Sequence, residues 1–153
     1  MFPPLEIEKR LMAEFSAALD AELVTVTGSL QPVEKGLVKY VETTPTAACV
    51  SIAVGTPSRN SAAAADAEMT ANITLFVAVG MDPTGETFAA LAGRVQQILD
   101  SFMGDTYQAD FTRLDVEGFS VDGVTVQGGS SPQIQNDFIS VSWPVTLSGS
   151  YIV

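Results

Sequence analysis

The chain contains no histidine, so the commonest general base and metal ligand of proteins is missing. Cys49 is the only cysteine. It cannot close a disulfide within the chain, and a cysteine-based zinc site needs several ligands. Such sparing cysteine use suits a reducing cytoplasm. Basic residues are also scarce: 7 Lys and Arg stand against 18 Asp and Glu, a net charge of −11. Nucleic-acid affinity comes largely from cations meeting phosphates, so tight DNA binding is not expected. The acids keep the surface soluble or make it repel DNA. No apolar run approaches the ~20 residues of a membrane helix. The start, Met1-Phe2-Pro3-Pro4 followed by Glu6 and Glu8, has neither the basic beginning nor the apolar segment of a signal peptide.

Charged residues of both signs are few as well. They make up 16% of the chain, against about 25% in typical domains. Hydrophobic residues reach 46%. A chain of 153 residues forms one ordinary domain with one core. It cannot bury every apolar side chain, so neighbouring subunits are expected to cover some of them. Ala62 to Ala65 raise the apolar figure without adding large side chains.

What is present is a clear change of period between Thr70 and Met103. Ile73, Leu75, Val77 and Val79 alternate with Asn72, Thr74, Phe76 and Ala78, the two-residue period of a strand. After Gly80-Met81-Asp82-Pro83-Thr84-Gly85, a stripe of Phe88, Leu91, Val95, Ile98, Leu99 and Phe102 predicts a helix over 84–103. Asp82 or Thr84 is its expected cap and Gly104 its expected stop. Gly85 and Gly93 weaken its intrinsic propensity. A first helix is predicted from Leu5 to Glu22, with Ile7, Leu11, Phe15, Ala18 and Leu19 on one face and Glu8, Lys9 and Glu14 elsewhere. Strands are predicted over Leu23–Leu30 and Ala47–Val54. Gln31–Gly36 reads as a turn, and Leu37–Val41 fits a short strand or an irregular stretch. Further strands are predicted over Phe111–Val116, Gly118–Val121 and Val124–Gln127. Asp122-Gly123 is the expected hairpin turn between the last two. The end of the chain, FISVSWPVTLSGSYIV, reads as a long half-buried strand with Ile139, Val141, Trp143, Val145 and Leu147 on one face. Pro144 places it at an edge, or at a position whose amide makes no ladder bond. The expected fold is a single α+β domain, residues 1–153, with a mostly antiparallel sheet packed by two main helices.

No residue pattern in the chain carries chemistry. Asp105, Asp110, Asp115, Glu117 and Asp122 are dense but lack calcium-loop spacing, and they read as a solvated face. Phosphate-loop, dinucleotide and nucleophile-elbow motifs are absent. Gly128-Gly129-Ser130-Ser131 reads as a turn. Cys49 has no basic residue within nine positions and reads as a packing residue. Neither a catalytic site nor a cofactor nor a metal is expected. The feature that stands out is Gly55–Glu68, GTPSRNSAAAADAE, too long for a tight hairpin between its flanking strands. Loops of this length are often functional or ordered by a partner. Its alanines could instead extend the strands into a protruding arm.

The order of elements resembles the tail terminator, or tail completion, proteins of long-tailed bacteriophages. The likeness covers nearly the whole chain: first helix, strands, long loop, the strand ANITLFVAV, a Pro-containing turn, the helix ETFAALAGRVQQILDSF, an acidic region and the closing strand. It implies a virion protein of the tail and neck, assembled in the host cytoplasm. Six copies would form a ring at the head-proximal end of the tail tube. That ring would stop tube growth and offer the surface that joins the head. Its partners would be other copies of itself, the tail-tube protein and a head-completion or connector protein, with no membrane and no tight nucleic-acid binding. Candidate assembly contacts are Thr56, Ser58, Arg59, Asn60, Asp66 and Glu68 of the long loop, and Pro144 of the closing strand. Connector-stoppers and tube subunits share parts of this pattern. A carboxylate enzyme, or a secreted β-rich adhesin or pilus-like subunit, is the alternative from another class.

Overall fold

The computed structural model describes residues 2–19, 24–28, 48–56, 66–78, 85–102, 111–128, 131–135 and 138–151. It shows an α+β domain in which two helices pack on one face of a six-stranded, mostly antiparallel sheet. The elements in chain order are α1 (Pro3–Ala18), β1 (Val24–Thr27), β2 (Ala48–Val54), β3 (Asp66–Ala78), α2 (Glu86–Asp100), a 3-10 turn (Phe111–Leu114), β4 (Phe119–Val126), β5 (Gln133–Gln135) and β6 (Phe138–Tyr151). The sheet runs β1-β2-β3-β6-β4, with β5 also paired to β6. Among the described strands only β1 and β2 are parallel.

Helix α1 starts where Pro3 and Pro4 have no amide to waste, and Phe2 accepts from the amides of Leu5 and Glu6. Ile7, Leu11 and Phe15 recur every four residues and are fully buried against β1 and β2. The helix ends at Ala18, four residues short of the expected Glu22, because Leu19 turns extended. Good helix formers continue past that point, so propensity did not mark the stop. Glu8 is a second departure. It is only 3% exposed, and its carboxylate accepts the Val54 amide at 3.4 Å where β2 ends.

Helix α2 buries Phe88, Val95, Ile98 and Leu99. Its N-cap is Gly85, at φ 75°, with no side-chain cap. Gly85 therefore does not weaken the helix interior. It supplies the left-handed residue at its entrance. Asp82, Pro83, Thr84 and Gly104 lie outside the described residues. A hydrogen bond of 2.9 Å from Trp143 Nε1 to Gln96 Oε1 fixes α2 to β6, with the indole itself buried.

Strand β6 pairs with β3 over all but its last residue, from Ala78↔Phe138 to Asp66↔Ser150. Its other side carries β4 over residues 145–151 and β5 over 138–140. The strand holding Pro144 is thus interior, not an edge. Pro144 is tolerated because its carbonyl accepts from the Gln127 amide at 2.9 Å. Its nitrogen points the same way, into the stretch between β4 and β5. The missing N–H therefore breaks no bond to β3.

The expected hairpin at Asp122-Gly123 does not form. Residues 119–126 are one strand, with a bulge between Val121 and Gly123. A Cβ on Gly123 would stand 2.8 Å from Ser148 Oγ, a hydroxyl that must turn aside to admit it. The reversal occurs earlier, at Glu117-Gly118, where Val116 and Phe119 exchange hydrogen bonds of 3.1 and 3.2 Å. Gly118 has φ 88°. Phe111–Leu114 is a 3-10 turn, where a strand was expected over Phe111–Val116. The carboxylate of Asp115 accepts the outward-facing Val121 amide at 2.7 Å.

Candidate assembly surfaces

The residues proposed as contacts fall in three places. Thr56 is exposed just past β2, where Gly55 still donates to the Thr70 carbonyl at 2.9 Å. Ser58, Arg59 and Asn60 lie outside the described residues, as do Gln31–Gly36 and Leu37–Val41. Asp66 and Glu68 are not in the loop but in β3, opposite Ser150 and Ser148 of β6. Both are exposed, and Ser150 Oγ donates to Asp66 Oδ1 at 2.8 Å. The loop is therefore shorter than Gly55–Glu68, and a strand extension accounts for its end. Pro144 sits opposite Asn72 in mid-sheet, away from any edge.

Alternation along β3 and β6 creates a surface that sequence reasoning did not single out. Ala67, Met69, Ala71, Ile73, Leu75 and Val77 face the helices and are buried. The even-numbered residues of β3 face the other way. On that side Thr70, Thr146 and Thr125 lie in one row across three strands, and Ser51, Thr74 and Ser142 in another. Thr74 and Ser142 hydroxyls bond at 2.9 Å, and Gln127 donates to Thr146 at 2.9 Å. Thr70 and Asn72 are exposed, so this part of the face has no helix over it. The signal was in the sequence as Ser140, Ser142, Thr146, Ser148 and Ser150 at every second or fourth position. Among the described residues, the acids Asp66 and Glu68 stand on this face, and every Lys and Arg belongs to the helical layer or its adjoining 3-10 turn.

Cys49 is buried on the same face, with its sulfur 3.7 Å from Thr27 Oγ1. Burial pushes its thiol above the ordinary range, and the Thr27 hydroxyl pulls weakly the other way. As pH rises past about 8.5 the unfolded chain ionises first. The stability linked to this thiol is full below that pH and is lost as pH climbs towards the folded value. Denaturant unfolding between about pH 8 and pH 10 should show a steeper loss for the parent than for Cys49→Ala. Equal slopes would show that the thiol is not held neutral. The native protein should also resist maleimide until denatured.

The described acidic residues of the third quarter do not converge. Asp115 is engaged with Val121, Glu117 forms part of a turn, and Asp122 is exposed at the bulge. Asp105 and Asp110 lie outside the described residues. Among the described residues, no group of three acids or cysteines is placed to hold a metal. No described helix is long and apolar enough to cross a membrane. The structure thus defines an α+β domain with one helical face and one hydroxyl-rich sheet face. No family model matches the chain, and no curated protein sequence matches it.

Proposed function

We propose that this chain is a structural subunit of a phage neck: a tail terminator that assembles as a ring, six copies by analogy, on the head-proximal end of the tail tube. The observation that carries the reading is the order of elements. A first helix, strands leading to one long strand, a helix of 15 residues and a 14-residue closing strand follow one another, and the resemblance rests on that order. The low charged fraction supports subunit contacts, because a surface poor in charge is less costly to desolvate. An acidic chain also suits a passage through which DNA slides without sticking. Tail length during assembly is the test. Loss of the protein should give overlong tails by electron microscopy. Tails of normal length that still join heads would overturn the proposal. Missing tubes would mark a tube subunit, and normal tails without heads a connector. Deleting 58–65, which spares β3, should weaken ring formation if the loop is a contact.

A further inference from the structure

We propose that the cleft holding Arg94 and Arg113 receives a carboxylate of a second copy of this chain, contributed by Asp66 or Glu68. The inference rests on the self-assembly part of the reading above, and it names the surfaces that would meet.

The physical problem is repulsion. Copies with a net charge of −11 repel one another, so a stable contact must set some of the few cations against acids. Four of the 7 basic residues are described, and two of these four line one cleft of about 200 Å³ between α1, α2 and the 3-10 turn. Arg113 is held inside its own subunit. It lies 3.8 Å from Glu14, donates to Ser101 Oγ at 2.7 Å and stacks 4.5 Å from the centre of the Phe102 ring. Arg94 is different. Among the described residues it donates only to neutral oxygens, Gln97 Oε1 at 3.2 Å and the Ala18 carbonyl at 3.4 Å. No carboxylate among the described residues pairs with it, and it is exposed. These two bonds hold the guanidinium in place and leave most of its five N–H donors for a ligand. A planar fork of this kind suits a carboxylate, which it can grip through two parallel bonds.

The matching acids are on the opposite side of the subunit. Asp66 and Glu68 stand two residues apart on β3, exposed on the face turned away from both helices. One oxygen of Asp66 is engaged by Ser150, which steadies the side chain, and no other described residue engages the carboxylate. The helical face of one copy therefore complements the sheet face of the next. Such a contact is heterologous, the kind that repeats head to tail and closes a ring when the rotation per copy permits.

The experiment is a charge swap in the full chain, read by sedimentation velocity at about 50 mM and about 500 mM salt, where screening differs severalfold. The parent should self-associate more at low salt. Arg94→Glu should weaken association about tenfold or more, Arg94→Gln less, and Glu68→Arg with Asp66→Arg comparably to Arg94→Glu. Mixing the Arg94→Glu chain with the Asp66→Arg, Glu68→Arg chain should restore association. Circular dichroism should show all variants folded, because the altered side chains are exposed. Unchanged association of Arg94→Glu, failure of the swap to restore it, or a parent monomeric at both salt concentrations would each overturn the contact. Tail length separates this from the broader reading. Normal tails with Arg94→Glu, beside overlong tails when the whole protein is lost, would sink the contact and leave the terminator standing.

Discussion

Replacing Val95 with Asp should lower the melting temperature by about 10 °C or more. Val95 is fully buried in α2, on the stripe that faces the sheet. A carboxylate there would sit in the apolar cluster without a partner. Leaving it charged, or protonating it to avoid the charge, should cost about 4 kcal/mol or more. Whole domains are stable by only about 5–15 kcal/mol. Thermal unfolding followed by circular dichroism is the measurement. A melting temperature equal to the parent's would show that α2 is rotated from the orientation described.

A single added methyl group at Gly149 should be nearly as damaging. Gly149 lies in β6 opposite Val121, and a Cβ built on it would overlap the Ser120 carbonyl oxygen. It would also stand 2.6 and 2.8 Å from two carbons of the Phe119 ring. That ring cannot step aside cheaply, because it is fully buried and packs edge-on against Tyr151 at 5.2 Å. Either β4 shifts from β6 or the ring leaves its place, at a cost of about 2–4 kcal/mol. Gly93→Ala is the control. Gly93 is exposed in mid-helix with nothing within 4 Å of its would-be Cβ, so alanine there should stabilise by about 0.5–1 kcal/mol. If both substitutions changed stability in the same direction, the close approach at Gly149 would not be real.

Several parts of this fold were legible before any coordinates. The two-residue period around Ile73 and the four-residue stripe through Val95 identified β3 and α2, because in each the buried side chains follow the local backbone repeat. Cys49 reads as a packing residue because no histidine or nearby base stands to activate it, and it is buried. The failures share a different cause: each depended on what lay beside the chain. Asp122-Gly123 has the composition of a hairpin turn and forms a bulge, because Glu117-Gly118 has already reversed the chain and β6 is long enough to hold both halves. Of the two expectations for Pro144 the edge is wrong, and the position without a ladder bond is right, because the gap between β4 and β5 supplies a place for its nitrogen. Asp66 and Glu68 have poor strand propensity, yet β6 pairs with them. Glu8 is polar and follows Ile7 on the helix, and only the end of β2 explains its burial. The places of Asp66, Glu68 and Pro144 in the sheet were therefore not readable residue by residue. The cleft around Arg94 could not be seen at all, since it joins residues far apart in sequence.

The carboxylate of Asp115 and the bulge in β4 have a consequence for crowded assembly. A flat outer strand is a template on which another chain can lay down a strand of its own, and then another without limit. Here that template is interrupted. The Val121 amide is already occupied by Asp115, and the bulge at Asp122 breaks the regular spacing before Val124 is reached. Open-ended stacking along this side would find no uninterrupted row of amides. Growth by strand addition is thereby impeded on the β4 side of the sheet.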